Sequence, residues 1–133
     1  MFSRFFRPIE VSAHCDLPCG VYDPAQARIE AQSVKAIAEK MAGNDDADFR
    51  TRALIIKEQR SELVKHHLWV LWTDYFKPPH FEKYPQLHQL FNEATKLAGG
   101  GGGTKASNDV QVADQLLAKI DEIAEIFWET KKA

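Results

Sequence analysis

Residues 108–130 read NDVQVADQLLAKIDEIAEIFWET. Within them Val112, Leu116, Ile120, Ile123 and Phe127 recur at steps of four, four, three and four. That spacing lines one face of a helix with about 3.6 residues per turn. Ser107 or Asn108 supplies the oxygen that caps its first amides. Just upstream, Gly99–Gly103 cannot be helix interior, and five glycines predict a flexible connector before this helix. Before the connector, a helix over 85–98 starts near Pro85 and turns Leu87, Leu90, Phe91, Ala94 and Leu97 inward. A longer one over 47–76 begins near Asp46 to Asp48. Its stripe is Ile56, Leu63 and Val70, joined by Leu68, Leu71, Trp72 and Tyr75, and Pro78-Pro79 ends it. The first helix, 24–42, opens at Asp23-Pro24, carries Ile29, Val34, Ile37 and Met41, and stops at Gly43-Asn44. No stretch alternates as a strand would. The fold class is all-α, an antiparallel four-helix bundle with an irregular amino-terminal hook over 14–22.

The 133 residues fit one domain, and 44% hydrophobic with 27% charged residues is ordinary for a globular chain. A net charge of −2, from 17 basic and 19 acidic side chains, argues against a nucleic-acid binder or a polybasic membrane anchor. The longest strictly apolar run, Leu68 to Trp72, is far shorter than the roughly 20 residues that span a bilayer. Residues 1–13, MFSRFFRPIEVSA, look like a trimmed leader ending in Val-Ser-Ala. Arg4, Arg7, Pro8 and Glu10 break up any export-type apolar stretch, so the expectation is a short propeptide and a cytoplasmic protein. A frayed terminus that stays attached is the other reading of the same residues.

The chemistry is concentrated in His14-Cys15-Asp16-Leu17-Pro18-Cys19-Gly20-Val21-Tyr22-Asp23-Pro24. Pro18 and Gly20 favour a tight turn over a helix, and a turn can aim both thiols at one centre. Three readings stay open on the residues alone. Cys15 and Cys19 could form a local disulfide. Tetrahedral zinc wants four donors, and the nearby set holds three unless His66, His67, His80 or His88 joins. Third, a cut between Ala13 and His14 would free an amine. That amine, the Cys15 amide nitrogen and thiolate, and the Cys19 thiolate can then occupy one plane, which points to nickel(II) or copper(II). The His14 imidazole would stay free for an axial approach.

The stretch HCDLPCGVYDP resembles the nickel hook of the nickel superoxide dismutase family, and Ala25–Asp46, Ile56–Phe81 and Ile126–Ala133 resemble it too. The resemblance implies one nickel ion per subunit, cycling between divalent and trivalent states as superoxide becomes dioxygen and hydrogen peroxide. It implies His14, Cys15 and Cys19 as ligands, with Tyr22 beside them in the catalytic site. Glu30 and then Arg60 would hold the His14 ring, while Asp16, Tyr22, Tyr75 and Lys77 would line substrate access. It also implies a homohexamer and a maturation protease, with no nucleic acid or membrane as partner. The run Gly99–Gly103 and Thr104–Asn108 departs from the family pattern, which puts the third helix and nearby subunit contacts in doubt. The competing function is a non-catalytic nickel- or copper-binding helical protein using the same chelate. Loss of residues 1–13 leaves a formal charge of −3, so attraction of an anionic substrate would have to be local.

Overall fold

The computed structural model describes residues 20–132, and among them every regular element is helical. Helix α1 spans Ala25–Ala42 and α2 spans Ala47–Val70, the latter running on as a wider π turn over Leu71–Tyr75. A short α3 covers Pro78–Lys83, followed by α4 at Leu87–Leu97 and α5 at Val110–Lys131. Residues 1–13, His14, Cys15, Asp16 and Cys19 lie outside the described residues.

The four long helices close a ring, with α1 and α4 each packed against both α2 and α5. Ion pairs fix the directions. Along α1, Arg28 meets Asp121 at 2.8 Å and Lys35 meets Asp114 at 2.7 Å, so α5 runs the opposite way. Between α1 and α2, Glu30 faces Arg60 at 3.1 Å, while Arg50 donates to the Met41 carbonyl at 2.8 Å. The bundle is antiparallel, as the periodicity of the sequence predicts.

Leu116, Ile120, Ile123 and Phe127 of α5 are fully buried. At roughly 1.5–3 kcal/mol per large apolar side chain, these four contribute at most about 6–12 kcal/mol. The first inward position belongs to Ala113 rather than Val112. The cap is Asp109, whose carboxylate accepts from Gln111 N–H, while Ser107 Oγ accepts from Asp109 N–H one step earlier.

Two stripes differ from those expected. The buried face of α1 is Ala27, Ala31, Val34, Ala38 and Met41, whereas Ile29 is 58% exposed. Three alanines on that seam let the neighbouring helices approach closely. On α2 the buried residues are Ala53, Lys57, Ser61, Val64 and Leu68, followed by Leu71, while Leu63 is 37% exposed and Ile55 56%. Two polar residues hold core positions here because the connector supplies their partners. Lys57 Nζ donates to the Thr104 carbonyl, and to that of Ser107 at 2.9 Å; Ser61 Oγ pairs with Thr104 Oγ1 at 2.7 Å.

The glycine run is therefore a packed connector and not a slack one. Thr104 N–H donates to the Leu97 carbonyl at 2.7 Å and Lys105 N–H to that of Gly99 at 3.0 Å, binding the turn to the end of α4. At Gly103 a Cβ would sit 2.4 Å from the Lys96 carbonyl oxygen, so only glycine fits. Pro78-Pro79 likewise opens α3 where a stop was expected, because proline tolerates a first helical turn, whose amides lack partners anyway. The expected helix over 85–98 becomes α3 and α4, separated near Tyr84.

Candidate metal centre

The described chain begins where the hook joins the bundle. Gly20 has φ +91°, the left-handed region that a residue with a Cβ seldom adopts. Tyr22 follows, half-buried, its ring edge-on to Tyr75 with centroids 5.7 Å apart. The Asp23 carboxylate then accepts from Ala25 N–H at 2.8 Å, and Pro24 turns the chain into α1.

Tyr75 sits in the π turn that ends α2, and its surroundings fix it on several sides. Its ring lies 4.4 Å from that of Phe127 and stacks on His80 at 5.7 Å. The Lys131 ammonium lies 5.0 Å from its centroid. Its hydroxyl is 2.6 Å from Thr130 Oγ1, and Thr130 Oγ1 donates its one proton to the Phe127 carbonyl. Tyr75 must therefore be the donor in its own bond. His80 Nδ1 accepts from Lys77 N–H at 3.0 Å, which fixes the residue whose side chain would present charge to solvent. Burial, then the Lys77 charge, pushes the His80 pKa below the ordinary imidazole value.

The second contact crosses from α1 to α2. Arg60 Nη1 donates to both oxygens of Glu30, at 3.3 and 3.1 Å, with the Glu30 side chain 16% exposed and that of Arg60 44%. His67 belongs to the same neighbourhood, since the Glu30 carboxylate acts on its titration. Burial and His66 still win there, and its pKa lies below the usual value.

The structure thus brings Tyr22 to Tyr75 and Glu30 to Arg60, and holds Lys77 by its backbone beside Tyr75's stacking partner. The ligand residues His14, Cys15 and Cys19, with Asp16, are outside the described residues. Among the described residues no cluster of three His, Cys, Asp or Glu side chains could hold a metal. Any metal chemistry therefore falls to the hook. Its donor set fits: two soft thiolates with nitrogen donors suit a planar d-block ion better than calcium or magnesium. Sequence reasoning missed Phe127, Thr130, Lys131 and His80 around Tyr75. The first three share one face of α5 by their spacing of three and four, a signal that was available.

A helical bundle preceded by a His- and Cys-bearing hook, with a tyrosine pair where they join, is the architecture of a small helical metalloprotein. The comparisons narrow the class. The family described as nickel-containing superoxide dismutase matches residues 9–131. Superoxide dismutase [Ni] of Streptomyces coelicolor is 66% identical over 134 residues, covering 100% of both chains. That of Streptomyces seoulensis matches to the same extent. A native nickel superoxide dismutase crystal structure aligns with TM-score 0.85 and 66% identity, covering 90% of this chain and 100% of its own. A second, with nickel ligation corresponding to the oxidised state, aligns equally well at 67% identity. The chain belongs to the nickel-containing superoxide dismutase family.

Proposed function

We propose that this protein is a nickel-dependent superoxide dismutase, an oxidoreductase that turns two superoxide ions and two protons into dioxygen and hydrogen peroxide. The observation that carries the reading is the family match across residues 9–131, which includes the His14–Pro24 motif. A non-catalytic nickel or copper carrier is not favoured, because the full-length relatives bear the dismutase name.

Cleavage between Ala13 and His14 activates the chain, and a maturation protease performs it. His14 (amine and imidazole), Cys15 (amide nitrogen and thiolate) and Cys19 (thiolate) hold the ion, one per subunit. When bound, nickel supplies the one-electron couple, brought into range by anionic sulfur and amide donors. The protein's part is positioning and access. Glu30, steadied by Arg60, orients the His14 ring. Asp16 and Tyr22 flank the hook and, with Tyr75 behind, restrict what reaches it. Lys77 supplies local positive charge for an anion approaching a protein of net negative charge. The subunits assemble as a homohexamer, in which exposed Trp69, Trp72 and Trp128 serve as contacts. The cytoplasm is its compartment, on the charged composition of residues 1–13.

Electron paramagnetic resonance on the protein purified from its native host tests the whole reading. The expected result is a rhombic nickel(III) signal split by an axial nitrogen, in material whose mass begins at His14. Absence of that signal from active, oxidised protein, or residue 1 still attached to it, would refute the assignment.

A further inference from the structure

The carboxyl-terminal half of α5 carries a feature that the dismutase reading does not use. Asp121, Ala124, Glu125, Trp128 and Glu129 line an open concavity of about 650 Å³. Trp128 is 49% exposed although it is a large aromatic residue. Asp121 is paired with Arg28 at 2.8 Å and Glu129 with Lys132 at 2.9 Å, both pairs well exposed. Glu125 has no ion pair among the described residues. The result is an aromatic floor rimmed by three carboxylates.

We propose that this concavity is the docking site of the chain's own residues 1–13 before they are removed. The proposal rests on the reading of that segment as a propeptide. Complementarity of charge and shape supports it. MFSRFFRPIEVSA carries Arg4, Arg7 and the terminal amine against one acid, Glu10, with Phe2, Phe5 and Phe6 interleaved. Guanidinium groups pair with carboxylates through two parallel hydrogen bonds and also lie over indole faces. The phenyl rings suit an exposed indole. The cations already on this face, Arg28, Lys131 and Lys132, are outnumbered once Glu122 joins the three rim carboxylates.

The geometry of attachment agrees. The described chain starts at Gly20, and Tyr22 touches Tyr75, whose hydroxyl bonds Thr130 on the last turns of α5. The hook therefore leaves the bundle beside the end of the helix that carries the concavity. From Asp121 to Thr130 the helix rises only about 14 Å. Residues 7–20 reach about 43 Å when extended, so the leader arrives with slack. Docked, it anchors the chain on both sides of Ala13–His14. That bond becomes a loop tethered at each end, presented for cleavage while the His14 nitrogen stays acylated.

The test uses the metal-free full chain with residues 1–13 attached, and reads the indole N–H resonances of Trp69, Trp72 and Trp128, the last assigned by Trp128→Phe. Arg4→Glu with Arg7→Glu should shift the Trp128 resonance and leave the other two in place. Salt approaching about 1 M, where screening falls to about 3 Å, should produce the same shift in the unaltered chain. Adding Glu125→Arg and Glu129→Arg to the leader variant should restore the original position. A Trp128 resonance indifferent to the leader's charge would overturn the proposal, as would a shift at Trp69 or Trp72 instead. A shift that follows protein concentration would also overturn it, by putting a second copy in the concavity. Mass analysis of native material judges the propeptide reading separately, so the two failures are distinguishable.

Discussion

Lys57→Met removes the ammonium that the connector between α4 and α5 is built around, while keeping the length and shape of the side chain. The lysine is 1% exposed, and its donors reach the Thr104 carbonyl, that of Ser107 at 2.9 Å and, more weakly, that of Lys105 at 3.5 Å. Hydrogen bonds to a charged group contribute roughly 1.5–3 kcal/mol each, so two good ones set a gross loss of about 3–6 kcal/mol. Against this stands the cost of burying the charge, which also pushes the Lys57 pKa below the ordinary lysine value. Methionine is freed of that cost. We therefore expect a net loss of about 2–3 kcal/mol, and Lys57→Arg to lose as well, since the forked head does not fit an enclosed ammonium site. Urea unfolding followed by circular dichroism measures the total. Amide hydrogen exchange locates it, with Thr104 and Lys105 losing protection well before the interior of α5. Unchanged stability, or a loss spread evenly over all helices, would refute the idea that one buried cation organises this connector.

Gly103→Ala should be at least as damaging, because the added methyl meets three carbonyl oxygens at 2.4–2.6 Å; a thermal melt that moves by less than a few degrees would contradict the packing. Arg60→Ala should cost little stability, since a partly exposed pair contributes about 1 kcal/mol or less. The same change should lower dismutase turnover roughly tenfold or more if Glu30 orients the His14 ring, read by rate assays with nickel content held constant. Acid should weaken the fold through His67 and His80, whose folded pKa values lie below 6.5. As pH falls through 6.5 the unfolded chain takes up protons first, so stability is full above that value and declines below it. Melting curves between pH 8 and 5 should therefore flatten in a His67→Gln, His80→Gln variant, and an undiminished slope would exclude these two groups.

Some of this structure could be read directly from the chain. The α5 stripe was legible because Leu116, Ile120, Ile123 and Phe127 are large, apolar and evenly spaced, so pattern and burial coincide. The HCDLPCGVYDP motif was legible because no helix or loop needs His, two Cys and Pro so close together. Other parts were hidden for physical reasons. On α2, Lys57 and Ser61 look like surface residues, and only the distant Thr104–Ser107 backbone, some 45 residues on, makes burial affordable. On α1 the alanines carry too little hydrophobicity to outvote Ile29, yet close approach of the helices selects for their small size. The five glycines read as slack because composition reports backbone freedom and not the carbonyls crowding Gly103. The Tyr75 surroundings depend on a π turn, which periodicity tuned to 3.6 residues cannot register.

That turn has a consequence for how the chain tolerates change. Phe76 N–H donates to the Leu71 carbonyl five residues back, at 2.9 Å, so this turn holds one residue more than its neighbours. Deleting any single residue from 71–75 would let the helix revert to ordinary winding, and everything downstream would swing by about 100°. Tyr75 would leave Tyr22 and Thr130, and Phe76 would abandon the interior, although composition would hardly alter. Length here is a calibrated quantity: substitutions at the outward Trp72 and Thr73 are forgivable, whereas a one-codon loss is not.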